Sequence, residues 1–168
     1  MSMITRTAIA AGLILGLGLA LPGTSAWSFS SGGSSSSSSS ASSGSSSPAD
    51  DFAKAKKLVD SDRYEDAIPI LEKLVAENPT DADALNELGY SHRELGHTQK
   101  ALTYYLKALS TKPEHLGANE YLGELYLEMK DLPKAEERLA VLQKACTGCV
   151  EYQTLKKKVD AFKANQQS

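Results

Sequence analysis

The sequence predicts an all-α fold: three consecutive helical hairpins and a C-terminal capping helix, preceded by a signal peptide and a disordered Ser-rich linker. Three observations carry this. First, Ala67, Ala101 and Ala135 recur at a step of 34 residues, as do Pro79 and Pro113, Leu88-Gly89 and Leu122-Gly123, and Leu71, Tyr105 and Leu139. So many coincidences at one period mark a stacked repeat architecture. Second, Ala67, Leu71 and Leu74, and their counterparts Ala101, Tyr105, Ala108 and Ala135, Leu139, Leu142, stand at i, i+4, i+7, which is one apolar helical stripe. Third, the composition breaks at Pro48, from almost pure Ser and Gly to Ala, Leu, Glu, Lys and Asp.

In chain order, residues 1–26 read as a signal peptide: Arg6 precedes an apolar run from Ala8 to Leu21, and Pro22-Gly23 end it before the small residues Thr24 and Ala26. The run is shorter than the ~20 residues of a membrane-spanning helix, so cleavage near Ala26 and no membrane span afterwards are expected. Export would place the mature chain in the periplasm, or secrete it. Residues 27–48 form the linker, too poor in apolar side chains to offset the entropy of ordering. The repeats fill 49–147, in units of about 48–79, 82–113 and 116–147. Asp62-Arg63, Gly96-His97 and Lys130-Asp131 are the turns between the paired helices. Pro79 and Pro113 end units, Thr80-Asp81-Ala82-Asp83 offers a capping box, and Pro133 suits a first helical turn. Pro69, inside the second helix, predicts a kink there, and the first helix should be the least stable. Residues 148–164 make a capping helix with Tyr152, Leu155, Val159 and Phe162 on one face, and Lys156, Lys157 and Lys158 on a solvated one. Residues 165–168 are a disordered tail.

The period and the pattern Leu-Gly, Ala, aromatic or Leu, Ala, Pro resemble the tetratricopeptide repeat. Such a resemblance implies a right-handed superhelix whose concave groove, lined by the first helix of each unit, binds a protein or peptide partner. The family's groove positions fall on Phe52, Lys56 and Val59, then Asp83, Asn86, Tyr90 and Arg93, then Gly117, Glu120, Glu124 and Leu127. The binding groove is therefore expected at Phe52, Lys56, Asn86, Tyr90, Arg93, Glu120, Glu124 and Leu127. Asn86 suits a partner's backbone, Arg93 a carboxylate, and Glu120 and Glu124 form either a negative strip for a basic segment or a solvated face. One subclass grips a C-terminal carboxylate, but its positions hold Phe52, Lys56, Glu87, Gly117 and Tyr121 here, so that specificity does not carry over.

With 168 residues and a net charge of −3, the chain lacks the basic footprint that nucleic acid requires. His92, His97 and His115 contain no i, i+4 pair, and no catalytic constellation, metal site or cofactor is expected. Cys146-Thr147-Gly148-Cys149 holds both cysteines; Val150 excludes haem attachment and zinc lacks its remaining ligands. A Cys146 to Cys149 disulfide pinning the last repeat to its cap is expected, since residues three apart at a helix end have suitable Cα spacing. The expected function is that of an exported, non-enzymatic scaffold or adaptor. The alternatives are a thiol–disulfide exchange protein using Cys146 and Cys149, or a structural protein that self-assembles in the envelope.

Overall fold

The computed structural model of the chain describes residues 46–166. The expected signal peptide and nearly all of the linker lie outside the described residues, as do the last two positions of the tail. Seven helices follow one another: α1 (Pro48–Val59), α2 (Tyr64–Glu77), α3 (Ala82–Glu94), α4 (Thr98–Thr111), α5 (Leu116–Glu128), α6 (Leu132–Ala145) and α7 (Val150–Gln166). α1 pairs with α2, α3 with α4 and α5 with α6, and each first helix also touches the next first helix along.

Cap chemistry sets the helix starts. Ser47 and Asp50 make a reciprocal capping box on α1, with Pro48 in its first turn, where the missing N–H costs nothing. The box expected from Thr80 does not form. Asp81 alone accepts from the Asp83 and Ala84 amides, at 3.1 and 3.0 Å, while the Thr80 hydroxyl donates to Asn78. His115 caps α5 by accepting the Ala118 N–H on Nδ1 at 3.1 Å, so its Nε2 carries the proton and donates to Asp83 Oδ1 at 2.9 Å. α2 runs on through Pro69 to Glu77.

The hairpin turns repeat in detail. Asp62, Gly96 and Lys130, one period apart, all have left-handed backbone, with φ of 57°, 73° and 61°. Glycine takes that conformation without cost, whereas Asp62 and Lys130 are held in it by the helices on either side.

Packing follows the apolar stripe. Ala67, Leu71 and Leu74 close the N-terminal core with Ala55, Val59 and Leu88. Tyr105, Ala108, Leu122, Leu125 and Leu142 make the C-terminal core with Leu155 and Val159 of α7. Each fully buried Leu among them contributes on the order of 1.5–3 kcal/mol. The Tyr105 ring lies so close to Gly89 that a Cβ there would sit 2.6 Å from two of its ring carbons, and a Cβ on Gly123 would meet the Leu155 methyls at 2.4 and 2.8 Å. The Leu-Gly pair of the second and third repeats thus marks a backbone approached by a large side chain.

α7 occupies 150–166, not 148–164, and its place is informative. The first helices start at Pro48, Ala82, Leu116 and Val150, a constant step of 34. α7 thus stands in the register of a further first helix. It covers the last hairpin as expected of a cap, and it extends the concave wall as well.

Candidate functional site

The first helices α1, α3, α5 and α7 line one face, and two cavities open along it. A cavity of about 270 Å³ lies among Lys56, Val59, Asp60, Glu87, Tyr90 and Tyr121. A second, of about 340 Å³, lies among Arg93, Glu124, Leu127, Lys158 and Phe162.

Of the residues expected in the groove, Lys56 and Tyr90 fall in the first cavity and Arg93, Glu124 and Leu127 in the second. Phe52 is separate: half-buried, it lines a shallow depression beside Asp81 and Asp83. Asn86 is only 5% exposed, packed over Gly117, with its Nδ2 3.4 Å from Glu87 Oε1 and its Oδ1 unpartnered. Asp83 is occupied by His115.

The acidic strip takes a different form from either expectation. Glu120 and Glu124 are 8% and 5% exposed, so neither is a solvated face nor a free negative strip. Glu124 Oε2 accepts from Arg93 Nη1 at 2.6 Å and its Oε1 is paired with Lys158 Nζ. Arg93 also holds Glu94 at 2.9 Å and Glu128 at 3.6 Å. Burial opposes its charge, but the hydrogen bonds to Glu124 and Glu94 outweigh that and keep the guanidinium protonated beyond its ordinary range. Arg93 is thus a strut joining α3 to α5, and not a free hand for a partner's carboxylate. Lys156 to Lys158 are all exposed, as expected of a solvated run, yet Lys158 also completes the strut from α7, while Lys156 pairs with Asp160 at 2.5 Å. Glu120 has a carboxyl pushed up to about 7, first by burial and then by Glu124.

The rings form a continuous wall. Tyr90 stands 4.8 Å from Tyr121, tilted at 46°, and meets Tyr64 edge-on at 6.0 Å. Arg93 lies 5.7 and 5.9 Å from the Tyr90 and Tyr121 ring centres, within cation–π reach. Glu87, in the first cavity, forms no ion pair among the described residues; burial raises its pKa, and Lys56 only partly opposes that.

Of the other residues lining the cavities, Glu87 and Tyr121 were reached from the sequence only as positions of the carboxylate-gripping subclass, and Lys158 and Phe162 only as part of the capping helix. The 34-residue step continued past Thr147 would have found Lys158, which stands one period after Glu124, but not Phe162, whose counterpart one period back is Glu128.

Elsewhere, His92 is buried and stacked on Tyr104 at 5.5 Å, with its Nδ1 3.3 Å from His97 Nδ1; burial and Lys100 lower its pKa. Cys146 and Cys149 are joined in a disulfide with Cα atoms 5.6 Å apart. A Glu151 oxygen lies within 4.8 Å of both sulfurs, but bonded sulfurs are not thiolate ligands. No helix among the described residues is long and apolar enough to cross a membrane.

Stacked helical hairpins with a concave face of first helices define a helical-repeat protein. Two profiles, both described as Tetratricopeptide repeat, match residues 52–114 and 92–159. The chain belongs to the tetratricopeptide-repeat family. It is 34% identical over 99 residues to the uncharacterized protein ycf37 of Pyropia yezoensis, a match covering 53% of this chain and 55% of that protein, so the chain spans about half the length of the curated relative it matches. Its fold is similar to that of the type III secretion chaperone SycD of Yersinia enterocolitica, solved in complex with a peptide of the translocator YopD, with a TM-score of 0.59 and 20% identity over 67% of this chain and 86% of that one. It is also similar to a thermophilic TPR protein of Thermus thermophilus, with a TM-score of 0.66 and 20% identity over 72% and 68% of the two chains.

Proposed function

We propose that this chain is a non-enzymatic scaffold or adaptor, exported to the periplasm or beyond, which docks a segment of a partner protein along its concave face. The observation that carries this is the pair of cavities on one face, spaced along four parallel first helices and walled by Tyr90, Tyr121, Leu127 and Phe162. Tyrosines offer large contact area for little lost side-chain freedom. A protein of the same fold, SycD, is solved in complex with a partner's peptide, which supports peptide docking as a use of this fold.

The test is photo-crosslinking from a reactive amino acid placed at Tyr90, compared with one at Leu106, which lies 48% exposed on the second helix α4. Groove docking requires a discrete adduct from position 90 and none from 106; equal labelling from both would refute it. For location, the mature protein is expected to begin at Trp27 and to partition with the envelope contents. A full-length chain beginning at Met1 in the cytosol would remove the export proposal while leaving groove docking standing.

A second reading keeps the cysteines in play, because Cys149 immediately precedes α7, and a helix N-terminus favours a thiolate. Insulin reduction by the reduced protein, lost in Cys149→Ser, would favour thiol exchange; no activity in either form leaves the disulfide a pin between α6 and α7.

A further inference from the structure

The cavity among α1, α3 and α5 has a distinct chemistry. Its walls combine two aromatic rings with three carboxylates, those of Asp60, Asp62 and Glu87, against a single ammonium, Lys56, which is already held by Asp60. Asp62 accepts the Tyr64 hydroxyl at 2.7 Å. Glu87 remains: half-buried and without an ion pair among the described residues, it has the Asn86 amide at 3.4 Å, and the Lys56 charge only partly offsets its burial. The neighbouring Asn86 is more than nine-tenths buried against Gly117, and its Oδ1 has no hydrogen-bond partner among the described residues. A carboxylate that has lost hydration while its nearest cation is bound to another carboxylate is a standing cost, which an incoming cation offsets.

The same rings already hold one cation within this chain. Arg93, which lines the second cavity, sits within 6 Å of both the Tyr90 and Tyr121 ring centres while paired to Glu124. Ring faces beside a carboxylate are thus a combination this fold uses for a guanidinium. The first cavity presents it again, open to solvent, and its one cation, Lys56, is bound to Asp60.

Resting on the groove-docking function proposed above, we infer that this cavity receives a basic side chain of the partner segment, its charged head against the Tyr90 and Tyr121 rings and paired with Glu87. An acidic side chain would face three carboxylates there, and an apolar one would desolvate Glu87 without compensation. Arginine fits better than lysine, because its planar head stacks on rings while its forked donors pair with the Glu87 carboxylate.

The test uses the full chain, isotope-labelled for NMR, titrated to millimolar concentration with three blocked pentapeptides that differ only in the central residue: Ac-AARAA-NH2, Ac-AAEAA-NH2 and Ac-AALAA-NH2. The arginine peptide is expected to shift the amides of Glu87, Tyr90 and Tyr121 in a saturable way. Its affinity should fall about tenfold in Glu87→Gln, which keeps shape and removes charge, and severalfold in Tyr121→Leu, which keeps bulk and removes the ring face. Circular dichroism of both variants checks that the array is intact. Equal shifts from the glutamate peptide, or an unchanged affinity in Glu87→Gln, would overturn the assignment. If the leucine peptide moves Leu127 and Phe162 while the arginine peptide leaves Glu87 unmoved, groove docking stands and the basic anchor falls. If no peptide moves any resonance of the face, both fall.

Discussion

Replacing Gly89 by alanine probes the packing that the Leu-Gly signature encodes. In an exposed helix the change would stabilise by about 1 kcal/mol, because glycine has the larger backbone entropy to lose. Here the new methyl would stand 2.6 Å from Tyr105 Cδ1 and Cε1 and 3.1 Å from Cγ. Ordinary carbon contacts begin near ~3.5 Å, so the overlap is about 1 Å against a ring that is fully buried and rigid. Overpacking of that kind costs typically ~1–3 kcal/mol. Because the ring must move as a whole, the upper part of the range applies, and the net destabilisation is about 1–2 kcal/mol after the propensity gain. Urea unfolding followed by far-ultraviolet circular dichroism measures it, and the double-mutant cycle isolates the cause. In a Tyr105→Leu background, Gly89→Ala should become neutral or mildly stabilising, giving a coupling of about 2 kcal/mol. Gly123→Ala is the internal comparison: its methyl meets the ends of the Leu155 side chain, which can turn away, so its penalty should be smaller. A Gly89→Ala protein as stable as the parent, or a penalty that persists without the Tyr105 ring, would refute the close-approach explanation.

Lys130→Gly should stabilise by up to ~1 kcal/mol, visible as a raised urea midpoint at unchanged slope, because it relieves a left-handed residue at the position where the middle hairpin already has Gly96. Glu120 makes stability fall with rising pH. Its folded pKa of about 7 lies above its ordinary 4.5, so the favourable contribution is complete below pH 4.5 and is lost as pH rises through 7. The full displacement corresponds to ~3 kcal/mol, reduced by solvent screening to about 1–2 kcal/mol; Glu120→Gln should be the more stable protein at pH 8, and parallel pH profiles for the two would exclude this role. Removing the disulfide in a Cys146→Ser, Cys149→Ser double variant should cost at most about 2 kcal/mol, since the closed loop is so short. Hydrogen exchange should then rise in α7 first, and uniform exchange across all seven helices would argue against a local pin.

The array could be read from the sequence because its information is local and periodic. Ala67, Leu71 and Leu74 recur one period on in matching helices, and the turns fall at Asp62, Gly96 and Lys130 as their spacing implied. The face that carries function was only partly legible. Period and family position place a side chain on the concave side, and in that sense Lys56, Tyr90 and Leu127 were within reach. They do not say which charges neutralise one another. Arg93, Glu124 and Lys158 come from three helices separated by about one repeat each, and only packing brings their charged ends within bonding distance.

Helix turns and a 34-residue period are short-range rules, and they were enough to establish the helices, their pairing and the side of the array on which each residue stands. The remaining features arose only when the helices packed. Packing turned the capping helix into a fourth groove wall, buried the acidic strip of Glu120 and Glu124, and left Glu87 in a cavity with two rings and no ion pair among the described residues. The strength of a charge pair depends on distances and burial that arise between helices and not within them.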